Sequence, residues 1–303
     1  MKVSVVGLGK VGSSVAFLLS LKNYITELVL LGRNRERTAG DALDLQHGQL
    51  FAESPSKIWA GEVEDTTGSE MIVMCASVAT PPTMTERLSL TDANVKLMRE
   101  LLPPLAERSP RAKLIMVSNP VDILCYFALK CTNYAPHQVI GTGTLVDSAR
   151  FRQLIADEVH INLADIRAYI LGEHGDSQFL ALSSASAGGE PLDDTPARRA
   201  MAQRAAQAGL EVFRLKGYTN FTIALAAEAI VDSIAMHARQ TLPVSVLCNG
   251  FLGHHDVCLS LPAVIGRKGI ERIMHPRLNT EEEALFHRSA QVLKDVIARV
   301  GDD

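Results

Sequence analysis

Three glycines near the start of the chain, Gly7, Gly9 and Gly12, have the G-x-G-x-x-G spacing that can hold the phosphates of a nucleotide. The first glycine of such a turn allows a tight bend, the second lets the backbone approach a pyrophosphate, and the third lets a helix pack closely on a strand. A β-branched run at residues 3–6 precedes the turn, and an apolar run of helical period follows it. The spacing alone could be an ordinary glycine-rich loop. Its context favours a dinucleotide-binding turn, with the free N–H groups and the dipole of the helix facing the phosphates.

The residues after the second predicted strand, Glu27–Leu31, bear on the choice between NAD and NADP. A dinucleotide fold usually carries an acid about 20 residues after the glycines, and this acid holds the hydroxyl groups of the adenosine ribose. Here Gly32 takes that place and is followed by Arg33 and Asn34. A carboxylate would repel a 2′-phosphate, whereas a guanidinium would bind it. The pattern therefore favours NADP over a strict preference for NAD, the alternative being that Arg33 is an ordinary solvated residue.

Strands alternate with helices over the first half of the chain, which predicts a right-handed, parallel, doubly wound sheet of the Rossmann type. Pro81 and Pro82 keep residues 77–86 from forming a helix, so this segment is a candidate lid over the cofactor turn. The predicted strands cover residues 3–6, 27–31, 57–60, 71–76 and 113–118. One predicted helix follows the glycine turn and ends at residue 20, two more cover residues 36–47 and 88–106, and another leads to residue 139.

The second half of the chain has a mixed pattern and predicts an α+β substrate domain. We place a dinucleotide-binding domain at residues 1–143 and the substrate domain at residues 144–303, although no linker composition marks the boundary. Thr280 and Glu283 have capping-box spacing at the start of the last helix. The other predicted elements are a helix at 145–159, a strand at 167–171, two helices within 196–240 and a hairpin at 244–261.

Composition excludes several classes of protein. The chain has 303 residues, of which 47% are hydrophobic and 21% charged, and its formal net charge of −4 gives no basic footprint for nucleic acid. No apolar run is long enough to span a membrane. The five cysteines are odd in number and lack metal-type spacing, which favours free thiols in a reducing cytoplasm. We expect a cytoplasmic protein that binds neither nucleic acid, membrane nor metal.

Five short stretches occur in the following order along the chain: GLGKVG, SNPVD, GTGTLVDSARFR, LGEHGDSQF and LKGYT. Together they resemble the L-lactate and malate dehydrogenase family over nearly the whole chain, and the last two look more like its L-lactate and L-2-hydroxyacid branch. The resemblance implies an oxidoreductase that transfers a hydride between NAD(P)H and a 2-oxo acid to give an L-2-hydroxy acid. It also implies a homo-oligomer, either a dimer or a tetramer.

The resemblance assigns the catalytic roles. Reduction of a 2-oxo acid needs a proton donor at the ketone oxygen, and histidine suits this because its pKa of about 6.5 rises beside a carboxylate. By resemblance His174 is this acid–base residue and Asp147 is its partner. Arg150, three residues after Asp147 on the same helix face, would bind the substrate carboxylate, the alternative being a surface ion pair. Arg87, at the end of the lid, corresponds to the arginine that polarises the carbonyl group.

The resemblance also indicates which residues line the binding sites. Asn119 would hold the nicotinamide ribose and approach the substrate, and Thr219 would lie against the substrate, although a threonine there could equally start a helix. The residues predicted to contact the cofactor are Gly7, Gly9, Lys10, Val11, Gly12, Gly32, Arg33, Asn34, Ala76, Asn94, Ser118 and Asn119.

Two departures from the family pattern lie in the lid. The position that sets substrate specificity, glutamine in lactate dehydrogenases and arginine in malate dehydrogenases, is Thr80, or Pro81 in an alternative register. Neither residue can pair with a second carboxylate, so oxaloacetate is disfavoured and space is left for a bulkier 2-oxo acid beside Thr80. Ala79 replaces an arginine that commonly contacts the pyrophosphate. This change puts the cofactor contacts of the lid in doubt.

Two alternative functions remain open. One is malate dehydrogenase, and the other is a non-catalytic NAD(P)-binding sensor or scaffold of the same fold, which the changes at Ala79 and Thr80 favour. The four predicted catalytic residues argue against a sensor, because a pure binder has little need of them. Tyr126 and Lys130 have the Tyr-x-x-x-Lys spacing of short-chain dehydrogenases, which we interpret as a chance match on a helix.

Overall fold

The computed structural model describes residues 1–78 and 87–301, with the main chain alone at residues 87–89. No helix of this part of the chain is long and apolar enough to cross a membrane. In chain order the elements are β1 (Lys2–Val6), α1 (Lys10–Ser20), β2 (Glu27–Leu31), α2 (Arg35–Gly48), β3 (Lys57–Ala60), β4 (Met71–Met74), α3 (Arg87–Arg108), β5 (Lys113–Met116), α4 (Val121–Cys131), β6 (Val139–Gly141), α5 (Leu145–Val159), β7 (Ile166–Arg167), β8 (Ile170–Leu171), β9 (Phe179–Leu180), β10 (Ser186–Ala187), β11 (Glu190–Pro191), α6 (Pro196–Lys216), α7 (Phe221–Ala235), β12 (Gln240–Asn249), β13 (His255–Gly266), β14 (Gly269–Ile273) and α8 (Thr280–Gly301).

The first six strands form the predicted doubly wound sheet, of which the sequence indicated the first five. They pair in parallel in the order β3-β2-β1-β4-β5-β6, so the chain winds outward from β1 and then returns to add strands on its other side. Parallel strands covered on both faces are expected to be almost continuously hydrophobic. All four residues of β4 are fully buried, as are Val3 and Val5 of β1. The order of the strands reverses between β1 and β4, and ligands of such sheets bind in the crevice at that point.

Three antiparallel strands extend the same sheet beyond the parallel part. Strands β12, β13 and β14 follow β6 in the sheet, and the link is the pairing of Ser245 in β12 with Gly141 in β6. The sheet therefore continues across the predicted boundary after residue 143. The two further sheets, β11-β10-β7 and β8-β9, are small and belong to the second half of the chain. There, a smaller apolar cluster around Phe151 and Ile155 of α5 packs beneath α6.

The sequence predicted most of the longer elements, and the structure corrects several of the predictions. The predicted strand at 167–171 is two strands, because β7 pairs with β10 whereas β8 pairs with β9. The second helix within 196–240 ends at Ala235, and the short strands β6, β9, β10, β11 and β14 were not predicted. The capping box of α8 lies one residue earlier than predicted. Asn279 Oδ1 accepts the main-chain N–H of Glu282 at 2.9 Å, and the Glu282 carboxylate accepts that of Asn279 at 3.0 Å.

Candidate functional site

Helix α5 and the loop after β8 are tied together by hydrogen bonds that set the geometry of the site. The Thr144 hydroxyl donates to the carbonyl of Ile170 at 2.5 Å, and Ile170 N–H donates to the Ser148 hydroxyl at 2.9 Å. Thr144 N–H also donates to the Ser260 hydroxyl in β13 at 3.0 Å. Because these contacts hold the first turn of α5 against β8, Asp147 faces the loop that carries His174.

Asp147 brings together three of the predicted catalytic residues. Its Oδ2 lies 2.7 Å from Nδ1 of His174, and its Oδ1 lies 3.3 Å from a guanidinium nitrogen of Arg150. The Asp147 side chain is only 3% exposed, while those of His174 and Arg150 are 30% and 22% exposed. The carboxylate is therefore buried, whereas the imidazole and the guanidinium reach the solvent side, where a substrate could meet them.

The environment of His174 raises the pKa of its imidazole. Burial acts to lower this pKa, but the hydrogen bond to Asp147 and the negative charges of Asp147 and Asp122 outweigh burial and the opposing charge of Arg150. A raised pKa keeps the ring protonated to higher pH, which suits a group that donates a proton near neutrality. The hydrogen bond at Nδ1 also leaves Nε2 as the nitrogen available to a substrate.

Asp122, in the first turn of α4, is a residue of the site that the sequence interpretation missed. Its Oδ2 accepts the main-chain N–H of His174 at 2.7 Å, and the residue is 2% exposed. Burial raises the pKa of this carboxyl to about 6, although the Ser245 hydroxyl and the His174 N–H act to lower it. Within the described residues, neither the Asp122 Oδ1 nor the Ser245 hydroxyl has a hydrogen-bond partner of good geometry. The available signal was the SNPVD motif, in which Asp122 follows Asn119 by three residues.

The glycine turn has the shape that a dinucleotide requires. Gly7 has a φ of +97°, and a Cβ atom on it would lie 2.3 Å from the Ala76 nitrogen, so only glycine fits there. A Cβ on Gly12 would lie 2.0 Å from the Gly7 carbonyl oxygen, because α1 packs directly on the turn. A Cβ on Gly9 would meet no atom within 4 Å. The space over Gly9, at the N-terminus of α1, is thus open to a phosphate group, and these residues fit the dinucleotide.

In the opposite wall of the crevice, two side chains join main-chain segments by hydrogen bonds. The Asn94 amide oxygen accepts Val78 N–H at 2.8 Å, and its nitrogen donates to the Asn119 carbonyl at 3.0 Å. The Ser118 hydroxyl donates to the Ala76 carbonyl at 2.5 Å. Asn94 and Ser118 are buried, whereas the Asn119 side chain is exposed. The geometry shows Asn94 and Ser118 acting as braces, and their contact with a cofactor stays a prediction.

The residues after β2 form an exposed basic segment. Arg33 and Asn34 are exposed, and Asn34 caps α2 by accepting the N–H of Arg37 at 2.9 Å. Gly32 lies against Thr38, whose hydroxyl would be 2.1 Å from a Cβ atom on Gly32. That hydroxyl donates to the Asn34 carbonyl at 2.8 Å and cannot easily move away.

The LKGYT segment contacts the glycine turn. Gly217, whose φ is +82°, caps the C-terminus of α6. Two lysines lie over the Tyr218 ring, with Lys10 Nζ at 4.6 Å and Lys216 Nζ at 4.5 Å from its centroid. Thr219 is exposed. The segment predicted to contact the substrate is therefore adjacent to the first turn of α1, which also carries the predicted cofactor residue Val11.

The predictions for the lid concern residues that the structure does not describe. Thr80 and the lid beyond residue 78 lie outside the described residues, and α3 begins at Arg87, whose side chain is likewise outside them.

Tyr126 and Lys130, which have the Tyr-x-x-x-Lys spacing, both donate hydrogen bonds to the Asp256 carboxylate, at 3.1 Å and 3.0 Å, so the pair has a structural role. Within residues 1–78 and 87–301, no group of three or more His, Cys, Asp or Glu residues could hold a metal ion.

Two family models match almost the whole chain. The model described as lactate/malate dehydrogenase, NAD binding domain, matches residues 1–141. The model described as lactate/malate dehydrogenase, alpha/beta C-terminal domain, matches residues 144–302.

Individual relatives and a solved structure support the same family. An L-lactate dehydrogenase of Synechococcus sp. (strain JA-3-3Ab) is 38% identical, with 98% of each chain covered. An L-lactate dehydrogenase of Bacillus caldotenax is 36% identical over 98% of this chain and 96% of its own. The solved structure of a minor L-lactate dehydrogenase from Enterococcus mundtii, in a ligand-bound form, is similar with a TM-score of 0.93. It is 31% identical and covers 99% of this chain and 98% of its own.

Replacing Asp147 by Asn should lower the pH at which His174 titrates, because the variant removes the charge and weakens the hydrogen bond at Nδ1. A raised pKa in the folded state stabilises the fold fully below the unfolded value and loses this effect as the pH rises through the folded value. The variant should therefore lose more thermal stability at about pH 6 than at about pH 9. NMR titration of the His174 ring and thermal melts measure the two effects.

The matched control is Glu271→Gln, which removes a carboxylate lying 3.5 Å from another histidine, His237. It should leave the titration of His174 unchanged. An Asp147→Asn variant whose His174 titrates as in the wild type would contradict the assigned pairing.

Proposed function

The chain belongs to the lactate/malate dehydrogenase family, and from this premise we propose that it transfers a hydride between a nicotinamide dinucleotide and a 2-oxo acid, giving an L-2-hydroxy acid. The observation that carries the proposal is the buried Asp147 carboxylate, which holds the His174 imidazole at 2.7 Å and the Arg150 guanidinium at 3.3 Å. A proton donor and a carboxylate-binding group are thereby fixed side by side.

The crevice between β1 and β4 supports binding of the dinucleotide. We assign the pyrophosphate to the open space over Gly9, where the first N–H groups of α1 and the helix dipole favour negative charge. The nicotinamide supplies the hydride when the cofactor is bound. Asn119 is assigned to its ribose, since the exposed side chain of Asn119 lies at the mouth of the crevice and its main chain is braced by Asn94.

The protein's own residues then manage charge and protons on the substrate. Arg150 binds the substrate carboxylate through its planar guanidinium, which can donate two parallel hydrogen bonds. His174 donates the proton from Nε2 to the ketone oxygen during reduction and takes it back during oxidation. Asp147 accepts the Nδ1–H of His174, so it fixes the tautomer and stabilises the imidazolium form. Arg87 is assigned to the polarisation of the carbonyl by resemblance alone.

We assign a substrate bulkier than pyruvate. The support is the sequence of the lid, where Thr80 or Pro81 stands at the position that sets substrate specificity in the family. Gly209 in α6 bears instead on the neighbouring Arg150, since a Cβ atom there would be 3.2 Å and 3.3 Å from the two terminal nitrogens of Arg150. Glycine at this position therefore lets α6 pack closely against the group that binds the substrate.

NADP is assigned as the preferred cofactor over NAD. The support is the absence of a carboxylate directly after β2, where Gly32 is followed by the exposed Arg33. A charge-assisted hydrogen bond to a 2′-phosphate is worth about 1.5–3 kcal/mol, enough for a preference of roughly 10- to 100-fold.

We also propose that the protein is a homo-oligomer and that it is located in the cytoplasm. Helices α1 and α7 pack against each other and expose large apolar side chains, among them Phe17 at 54%, Phe221 at 67% and Leu225 at 51%. Exposed apolar groups of this size are typical of a surface that another subunit covers. The five free cysteines support a reducing compartment.

The direct test of the function is turnover of a panel of 2-oxo acids, from pyruvate to branched and aromatic acids and oxaloacetate, with NADH and NADPH. We expect turnover with a bulky 2-oxo acid, and His174→Asn should lower kcat by about 100- to 10,000-fold with unchanged cofactor affinity. Cofactor binding without turnover of any acid would favour the non-catalytic sensor. Preferred turnover of oxaloacetate would favour malate dehydrogenase.

The cofactor assignment is tested by placing an aspartate at position 32. Because a Cβ on Gly32 would clash with the Thr38 hydroxyl, the variant is the double substitution Gly32→Asp/Thr38→Ala, and Thr38→Ala alone is its control. The new carboxylate should repel the 2′-phosphate and reduce the ratio of kcat/KM for NADPH to that for NADH by about 10-fold. A ratio that equals that of the control would show that Arg33 is only a surface residue.

The assembly is tested by light scattering on the double variant Phe17→Asp/Phe221→Asp. Charges placed on a buried interface should dissociate the oligomer, while charges at exposed positions of a monomer would cost little stability. Ile161→Asp, at a residue that is 37% exposed beyond the end of α5, is the control and should leave the mass unchanged. A wild-type protein that is monomeric at micromolar concentration would refute the assembly.

A further inference from the structure

Asp122 is a buried carboxylate to which the proposed mechanism gives no task. It is 2% exposed in the first turn of α4, and its Oδ2 accepts the main-chain N–H of His174 at 2.7 Å. Its other oxygen has no hydrogen-bond partner among the described residues. A buried carboxylate with one unused oxygen is destabilising unless a nearby charge compensates it.

The groups around Asp122 identify that charge. Cys125 faces it from α4, Ser245 from β12 and Cys258 from β13, while Glu173 and His174 face it from the loop after β8. In the part of the chain that the structure describes, His174 is the one group among these that becomes a cation. Behind the imidazole lie Asp147 and Arg150, which the catalytic site already uses.

We propose that Asp122 is a positioning residue for His174, which fixes the main chain of the histidine and, as a second carboxylate beside Asp147, favours its imidazolium form. The two carboxylates act on different parts of the residue. Asp147 binds the ring at Nδ1, whereas Asp122 binds the main-chain N–H and attracts the ring charge without competing for Nδ1. Its effect on turnover rests on the proposed function, but its effect on the titration of His174 does not.

The role of Asp122 depends on its charge and therefore on pH. Burial raises its pKa to about 6, so at neutral pH it is ionised and supports the imidazolium form of His174. As the pH falls through that value Asp122 becomes neutral and the support is lost. The first-turn position in α4 favours the ionised form, because an anion there interacts well with the helix dipole.

The test is an NMR titration of the His174 ring in Asp122→Asn, with His174→Gln used to identify the signal. Asparagine keeps an oxygen that can accept the His174 N–H, removes the charge and replaces the other oxygen with an NH2 group. The midpoint of the His174 titration should therefore shift to lower pH relative to the wild type. The matched control is Glu282→Gln, which also neutralises a buried carboxylate that accepts two main-chain N–H groups, those of Ser183 and Asn279. The control should leave the midpoint unchanged.

Turnover gives a second readout. In Asp122→Asn, the pH above which 2-oxo acid reduction declines should also fall, and kcat/KM at neutral pH should fall by about fivefold, the difference between a charged and a neutral acceptor. If Asp122→Asn does not fold, Asp122→Ser removes the same charge with less volume. An unchanged His174 midpoint in a folded, uncharged variant overturns the proposal. Failure of the wild type to turn over any 2-oxo acid refutes the proposed function and leaves the NMR test intact.

Discussion

The site depends on one buried carboxylate that holds two basic side chains at once. Asp147 is almost completely removed from solvent, and each of its oxygens is directed at a different partner, His174 on one side and Arg150 on the other. A buried anion needs such compensation, because an unpaired charge in this position would strongly destabilise the fold. The arrangement fixes the position of the imidazole relative to the guanidinium. Two hydrogen bonds, one that Thr144 donates to β8 and one that Ser148 accepts from β8, then fix Asp147 itself.

The dinucleotide crevice is formed mainly by main-chain atoms and not by side chains. Gly7 and Gly12 allow the turn and α1 to approach each other so closely that any side chain would collide with backbone atoms. Gly9 instead leaves open space at the helix N-terminus, where backbone N–H groups can meet phosphate oxygens. Asn94 and Ser118 brace the far wall through main-chain atoms. A rigid crevice of this kind binds its ligand without a large loss of conformational entropy.

Helix α4 connects the two halves of the site. Its N-terminus follows Asn119, at the mouth of the crevice, and its first turn presents Asp122 to the main chain of His174. The sheet also continues from β6 into β12, so the residues before and after position 143 share one packed framework. His174 is thus held by carboxylates from two elements, Asp122 of α4 at its main-chain N–H and Asp147 of α5 at its ring, and the position of each depends on that common sheet.

The sequence by itself determined the features that arise from contacts between near neighbours. The glycine turn, the parallel strands and the helical spacing of Asp147 and Arg150 follow from local patterns with a short period. The partner of His174 came only from a family resemblance, because residues 27 apart have no spacing rule. The contact of Asp122 with His174 and the joining of β12 to β6 were decided by tertiary structure alone. These contacts join elements distant in sequence, and burial, which selects them, exists only once the chain has folded.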